Sequence, residues 1–379
     1  MDSKSNFRYC GYRLSNSCKQ FEKSLHGLRG IAALAVFMAH CAGGYSLHFC
    51  QNCGYKPMLD SINNIGTFGV ELFFIISGYV IFRACFNTEP SEFFRRRFWR
   101  IYPVFFVFTV LFVIANIALQ IEPEKNRIDY LLYNLLFINL FLGTPALTPN
   151  AWTITFEVIF YFLTFIFVYN REKARSGLVF LFAAVASLWF LYLHPISSYY
   201  LAGTALSLVC FYKPNWQKSI DKHVVRVVEI SCLSFIVLLA AEDQIYNWQS
   251  LIHSPESILL FTLVIIFTAC ILHKESMIGS VLQMRPFMYL GTVSYSLYLA
   301  HPYSYFMSKV VTKKVDGLLN SAALQGVVFL VAVLVSTALM TWLVHHFLEA
   351  PLYTKMSGKK IIGKYSLARS LINKKARLH

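Results

Sequence analysis

The sequence predicts an all-α integral membrane protein, a bundle of about ten transmembrane helices with both termini in the cytoplasm. Three observations predict it. The 379-residue chain is 56% hydrophobic and 14% charged, with a mean hydropathy of +0.52, whereas a soluble domain carries roughly 25% charged residues. Its apolar residues fall in runs that recur from Leu25 almost to the C-terminus, each near the ~20 residues needed to cross a hydrocarbon core of ~30 Å. Its basic residues fall almost entirely in alternate connections between those runs.

The first run, 25–46, follows a polar, basic stretch over 1–24 and carries Arg29 and His40 within it. That stretch is too long for the n-region of a cleaved signal, so 25–46 reads as an uncleaved first crossing. Further crossings are predicted at 66–86, 98–120, 150–169, 176–193, 199–212, 224–241, 255–272, 287–309 and 321–348. The apolar stretch 128–143 is too short, and counting it would carry the basic tail to the opposite side. It reads as a re-entrant or surface-lying piece, buried against protein wherever its backbone is irregular. The organisation is therefore an N-terminal segment (1–24), a membrane domain (25–351) and a basic tail (352–379) that lies on anionic headgroups.

The net charge of +15 would suit nucleic acid if the cations shared one face. They do not. With the N-terminus inside, the outside loops hold Lys56, Lys125, Arg127, Lys309, Lys313 and Lys314, and nearly all the rest of the 34 Lys and Arg residues lie in inside segments. This is the positive-inside pattern, and the lipid bilayer replaces nucleic acid as the partner. Most of the nine cysteines sit in apolar runs, where cysteine acts as a small hydrophobe. Cys50 and Cys53 share the first outside loop, where a disulfide and a pair of free thiols are both open readings.

An ionisable side chain inside a crossing costs roughly 2.5–3.5 kcal/mol on insertion scales for Arg, Lys or Asp, so each needs a reason. Arg29 lies near the inner end of its segment. His40 follows eleven residues later, some ~16 Å deeper and on almost the same helix face. Glu71 and Glu157 lie about 8–10 Å below the outer ends of their segments, and His40 and His301 fall at a similar depth. Four groups of complementary type thus share a layer, while Arg29, Arg83, Arg95, Arg96, Arg97 and Arg100 gather on the inner side. Plainer readings exist for each alone: an Arg near a helix end snorkels, the cluster Arg95–Arg100 sets topology, and a single buried Glu serves as a hydrogen-bond partner.

At these same residues the chain resembles the acyltransferase 3 family of multi-pass membrane acyltransferases, which modify sugars of surface polysaccharides, lipopolysaccharide O-antigen and nodulation factors. Leu25-His26-Gly27-Leu28-Arg29-Gly30 with His40 is similar to the family's opening motif, and Gly69–Tyr79 to its second-helix signature. Arg96-Arg97-Phe98-Trp99-Arg100-Ile101-Tyr102-Pro103 resembles its basic cytoplasmic loop. Trp152–Glu157 with Phe160-Tyr161 resembles its Trp-(Ser/Thr)-x-x-x-Glu element, Gly291–Leu299 with His301-Pro302 its late Ser-Tyr-x-x-Tyr-Leu element, and Glu349-Ala350-Pro351 its closing one. The six run in the family's order over 25–351. Pro302 departs from the pattern, because the family places its Pro two residues after the late His. Some members append a hydrolase-like domain with a nucleophilic Ser, which is not expected in this chain.

The resemblance implies an acyl-CoA-dependent O-acetyltransferase of the bacterial inner membrane, with a cytoplasmic acyl-CoA, most often acetyl-CoA, as co-substrate and a hydroxyl of a cell-surface or exported carbohydrate as acceptor. It implies no permanently bound cofactor, and no metal is expected. Guanidinium forks suit phosphates, so Arg97 and Arg100 would hold the nucleotide end, with Arg29 and the small Ser77-Gly78 step letting the pantetheine arm thread inward. His40 would be the general base, oriented by Glu71 or Glu157. Trp152, Tyr295, Tyr298 and His301 would line the acceptor pocket or stabilise the oxyanion. Direct attack and an acyl-histidine intermediate both fit. The rival reading is a transporter or flippase that uses the His/Glu layer as a proton relay, and a third is a non-catalytic scaffold.

Overall fold

The computed structural model describes residues 16–173, 177–213, 216, 220–241, 254–315 and 322–357. The predicted N-terminal segment up to residue 15 and the basic tail from residue 358 lie outside the described residues. Among the described residues all regular structure is helical. In chain order the helices are α1 (Asn16–Phe49), α2 (Lys56–Thr67), α3 (Gly69–Phe86), α4 (Pro90–Leu119), α5 (Ile128–Leu135), α6 (Ala151–Lys173) and α7 (Gly177–Leu193). They continue as α8 (Ser198–Tyr212), α9 (Lys222–Ala241), α10 (Pro255–Ile271), α11 (Met277–Val281), α12 (Arg285–Val315), α13 (Ala322–Val344) and α14 (Ala350–Ser357).

Every predicted crossing falls on a helix, but length and composition qualify six stretches as candidate spans: Lys23–Phe49, Lys56–Phe86, Pro90–Leu119, Ala151–Tyr169, Lys222–Ala241 and Leu324–Met356. α7 and α10 are apolar but shorter, at 17 residues each. α12 has 31 residues; its Ser, Tyr and His residues lower its apolarity, and those are the residues that build the site. The exterior of the bundle is apolar: on α7, Leu178 is 77% and Phe182 73% exposed, whereas Ser296, Ser304, Thr312 and Glu229 are fully buried. Apolar groups outside and hydrogen-bonded polar groups inside suit a lipid solvent. The chain is a multi-pass helical membrane protein.

Two seams without side chains fix the packing around the site. A Cβ on Gly30 of α1 would lie 2.5 Å from the amide nitrogen of Gly291 on α12, and one on Gly203 of α8 would lie 2.8 Å from the amide nitrogen of Tyr79 on α3. Only glycine lets these backbones approach so closely. Along the first seam His26 meets Thr292, His40 meets His301 and Gly44 meets Tyr305, so α1 and α12 run parallel. α4 runs the same way: the Tyr295 and Tyr303 hydroxyls donate to the carbonyls of Ile101 (2.7 Å) and Phe108 (2.5 Å).

The stretch 128–143 forms the short helix α5 and an irregular return. Ile128, Leu132, Leu136 and Phe141 are exposed, while Asn134 and Asn139 are buried. The Asn134 amide donates to the carbonyls of Tyr130 (2.9 Å) and Pro145 (3.1 Å), and its oxygen accepts from the Leu147 N–H at 3.0 Å. Through Pro145 and Leu147 one buried amide thus satisfies backbone that no helix does, as irregular chain in an apolar setting requires. Cys50 and Cys53 form a disulfide just beyond the end of α1.

Candidate active site

A cavity opens between α1, α3, α6, α8 and α12. Arg29 from α1 enters it, Val70, Phe73, Phe74 and Ser77 present one face of α3, and Thr153 and Glu157 present one face of α6. Tyr200, Ser294, Tyr295 and Tyr298 complete the wall. The spacings 70, 73, 74, 77 and 153, 154, 157 are those of a single helical stripe. Glycine works behind the wall: Gly78 lets the Tyr200 backbone lie directly against α3, which brings the Tyr200 ring over Phe74 at 4.4 Å. Gly78 therefore supports the cavity rather than lining it, because its missing side chain points into the α3–α8 seam.

The cationic rim converges on one wall. The Tyr161 hydroxyl donates to the Glu157 carboxylate, and the Arg97 guanidinium lies over the rings of Tyr161 (5.5 Å) and Phe93 (5.7 Å). Arg100 lies within electrostatic reach of Tyr161, Tyr295 and His26. Arg29, Arg97 and Arg100, predicted together, are thus gathered around one carboxylate, Glu157. Among the described residues none of these three guanidiniums forms an ion pair, whereas Arg96 of the same cluster is paired with Glu92.

From this cavity a ladder of rings leads along α12. Tyr298 lines the cavity, its hydroxyl 2.7 Å from the Thr153 hydroxyl, and its ring centroid lies 5.8 Å from that of His301. His301 is 1% exposed and stacks on His40 at 5.1 Å, with the planes 24° apart. His40 has its other side exposed. The two imidazoles predicted to share a layer do meet.

The two carboxylates do not join them. Glu157 sits with the arginines, and Glu71 is buried on the side of α3 that faces α8, within electrostatic reach of Tyr199. Its Oε2 has no hydrogen-bond partner among the described residues. Neither bonds to the His40 ring among the described residues, so the expected orientation of His40 by Glu71 or Glu157 is corrected. Helical rise gave the depth of each group, but the direction each faces around its helix separates them. Trp152, predicted on the acceptor side with Tyr295 and Tyr298, packs edge-on against Phe74 (6.2 Å) and Phe156 (5.5 Å) behind the cavity wall.

Sequence reasoning does not single out several members of the site: Tyr161, Tyr200, Thr153 and Ser294. Thr153 and Tyr161 stand within quoted motifs, one turn either side of Glu157, and that spacing is the signal that could have found them. Tyr200 carries no such mark. Among the described residues no group of three or more His, Cys, Asp or Glu side chains converges as a metal site would.

The helical bundle and its site define a multi-pass membrane protein in which a cation-rimmed cavity leads to a pair of imidazoles. The chain belongs to the acyltransferase 3 family: the model of that family's acyltransferase domain matches residues 22–346, which places it in a family of acyltransferase enzymes. It is similar to the peptidoglycan O-acetyltransferase OatA of Listeria monocytogenes, 25% identical over 333 residues that cover 76% of this chain and 50% of the relative. The putative peptidoglycan O-acetyltransferase YrhL of Bacillus subtilis is 24% identical over 374 residues, 87% of this chain and 55% of the relative. The acyltransferase MdmB of Streptomyces mycarofaciens is 34% identical over 150 residues, 38% of each chain. The chain spans about half the length of the first two of these curated relatives. No solved structure matches it.

Proposed function

We propose that this chain is an inner-membrane O-acyltransferase of bacteria that moves an acetyl group from cytoplasmic acetyl-CoA to a hydroxyl of an exported or cell-surface glycan. The observation that carries the reading is the continuity of the site: Arg29 lines a cavity, Arg97 lies over Tyr161 beside its Glu157 and Arg100 lies within electrostatic reach of its Tyr295, and the wall residue Tyr298 abuts the His301–His40 pair. A transferase that takes a phosphorylated donor from one side and an uncharged hydroxyl from the other needs these parts in this order. Family membership favours it over the transporter and scaffold readings. The excess of Lys and Arg in alternate connections supports a cytoplasmic arginine rim. The relatives named as peptidoglycan O-acetyltransferases make peptidoglycan sugars the first acceptors to test, before O-antigen or exopolysaccharide sugars.

In this reading the guanidiniums hold the phosphates of CoA, and the pantetheine arm lies along Ser77, Tyr295 and Tyr298. Glu157 offsets part of the repulsion between Arg29 and Arg97, and the hydrogen bond it accepts from Tyr161 fixes it there. The arm delivers the thioester past Tyr298 to the imidazoles. There the acceptor hydroxyl, a poor nucleophile when neutral, loses its proton as it attacks, a step for which a placed base is worth ~10²–10⁴-fold. The test uses the full chain in lipid nanodiscs with acetyl-labelled CoA and peptidoglycan fragments. Label on the glycan and release of CoA, both lost in Arg29→Ala/Arg97→Ala through a raised KM for acetyl-CoA, is the expected result. Intact acetyl-CoA and unlabelled glycan in every acceptor tried would sink the proposal.

A further inference from the structure

The Nδ1 atom of His301 lies 3.3 Å from the Leu297 carbonyl oxygen, one turn back on α12, and the Tyr298 carbonyl is also within bonding reach of the ring. A carbonyl only accepts, so Nδ1 carries the proton, and in the neutral ring the lone pair is then on Nε2. That Nε2 is buried and has no partner among the described residues. His40, stacked on it, makes no hydrogen bond among them, and nothing there sets its tautomer.

The surrounding backbone explains why His301 is held so firmly. Pro302 has no N–H, so the Tyr298 carbonyl four residues earlier has no backbone N–H donor from its own helix. The Asn150 amide at the start of α6 donates to that carbonyl at 2.5 Å. The break that Pro302 makes in the ladder thus ties α6 to α12 at the turn that carries His301. A buried acceptor left bare costs about 1–3 kcal/mol and calls for an explanation; of the buried side-chain atoms without a partner among the described residues, Nε2 of His301 is the one imidazole nitrogen, and its ring adjoins the cavity-lining Tyr298.

We infer that His301, through Nε2, is the atom that takes the proton of the acceptor hydroxyl. The inference rests on the acyltransferase reading above and changes its base from His40, the residue the sequence points to, to its buried neighbour. In the step, the acceptor O–H gives its proton to Nε2 while the oxygen forms a bond to the acyl carbon. The acyl carbon–sulfur bond breaks, and the departing sulfur takes that proton from the imidazolium to leave as the free CoA thiol. Nε2 is closed to solvent in this structure, so a neighbouring ring turns aside to admit the hydroxyl. His40, exposed and unbonded, is the ring free to do so.

The test has a spectroscopic arm and a kinetic arm, both on the full chain in nanodiscs. The ¹⁵N-histidine spectrum, with His301 assigned by its loss in His301→Gln, is expected to show a neutral ring protonated on Nδ1. In turnover with acetyl-CoA and glycan, His301→Gln is expected to lose ~10²–10⁴-fold in kcat with the KM for acetyl-CoA unchanged, and added imidazole to restore turnover to His301→Ala. An Nε2-protonated ring overturns the inference, as does wild-type kcat in His301→Gln or rescue by imidazole of His40→Ala in place of His301→Ala. If the wild-type protein transfers no acetyl group, the activity reading fails by itself, and the spectrum still decides which nitrogen of His301 is the acceptor.

Discussion

Thr153 joins two helices with one hydroxyl. Its O–H donates to the Asn150 carbonyl at 2.9 Å, so at 2.7 Å from the Tyr298 hydroxyl it acts as acceptor. Thr153→Val keeps the shape and deletes both bonds, leaving the buried Tyr298 hydroxyl without its acceptor at a cost of about 1–3 kcal/mol. The expected outcome is a protein that still folds but turns over more slowly, with a thermal transition lower by a few degrees. Unchanged kcat in Thr153→Val would remove Tyr298 from any placing role. At this scale the sequence was legible in kind and not in direction. Arg29, Arg97, Arg100, Tyr295 and Tyr298 come together because motif and depth identify them. Glu71 does not, because depth along a helix says nothing of the face: 70, 73, 74 and 77 front the cavity, and 71 turns with 75 and 78 toward α8.

Among the elements, α12 is held in rotation from both sides. Tyr295 and Tyr303 bond to the backbone of α4, and Ser296 donates to Glu349 at 2.6 Å. Glu349 lies on a single π-helical turn, His345–Glu349, between α13 and α14, and its Oε2 is also 3.0 Å from His345 Nδ1. All three groups are buried. Glu349→Ala strands both partners, and each buried group left without its hydrogen-bond partner costs about 1–3 kcal/mol. Glu349→Gln keeps an acceptor oxygen for Ser296 and gives up the charge, a loss nearer ~1 kcal/mol. Thermal unfolding in detergent is expected to rank wild type above Glu349→Gln and Glu349→Ala last. Equal transitions for the two variants would show that Ser296 does not use the bond. The apolar runs were readable as helices because length and composition suffice for that. The π turn was not, since no residue type marks one, and α12 extends to Val315 beyond the predicted 309 because its polar end stays helical outside the apolar stretch.

For the whole molecule, orientation is the property on which the donor's route depends. Contacts that advance together along α1 and α12, from His26 with Thr292 to Gly44 with Tyr305, and along α4 and α12 make these three helices parallel, as alternation of the predicted crossings requires. Their starts share the arginine end of the bundle, and their ends share the face with Glu124 and Lys314. Ser91, Glu124 and Lys314 are all exposed, so each serves as a labelling site. With a membrane-impermeant maleimide, Glu124→Cys and Lys314→Cys are expected to react in intact cells above the background of the native cysteines, and Ser91→Cys only after the membrane is opened. Acyl-CoA, the proposed donor, is charged and does not cross a bilayer, so it reaches the site only from the face its pool occupies. If Ser91→Cys labelled in intact cells instead, the rim of Arg97 and Arg100 would face away from the cytosolic pool, and an activated acyl donor on the outer side would have to replace acyl-CoA whatever the geometry of the imidazoles.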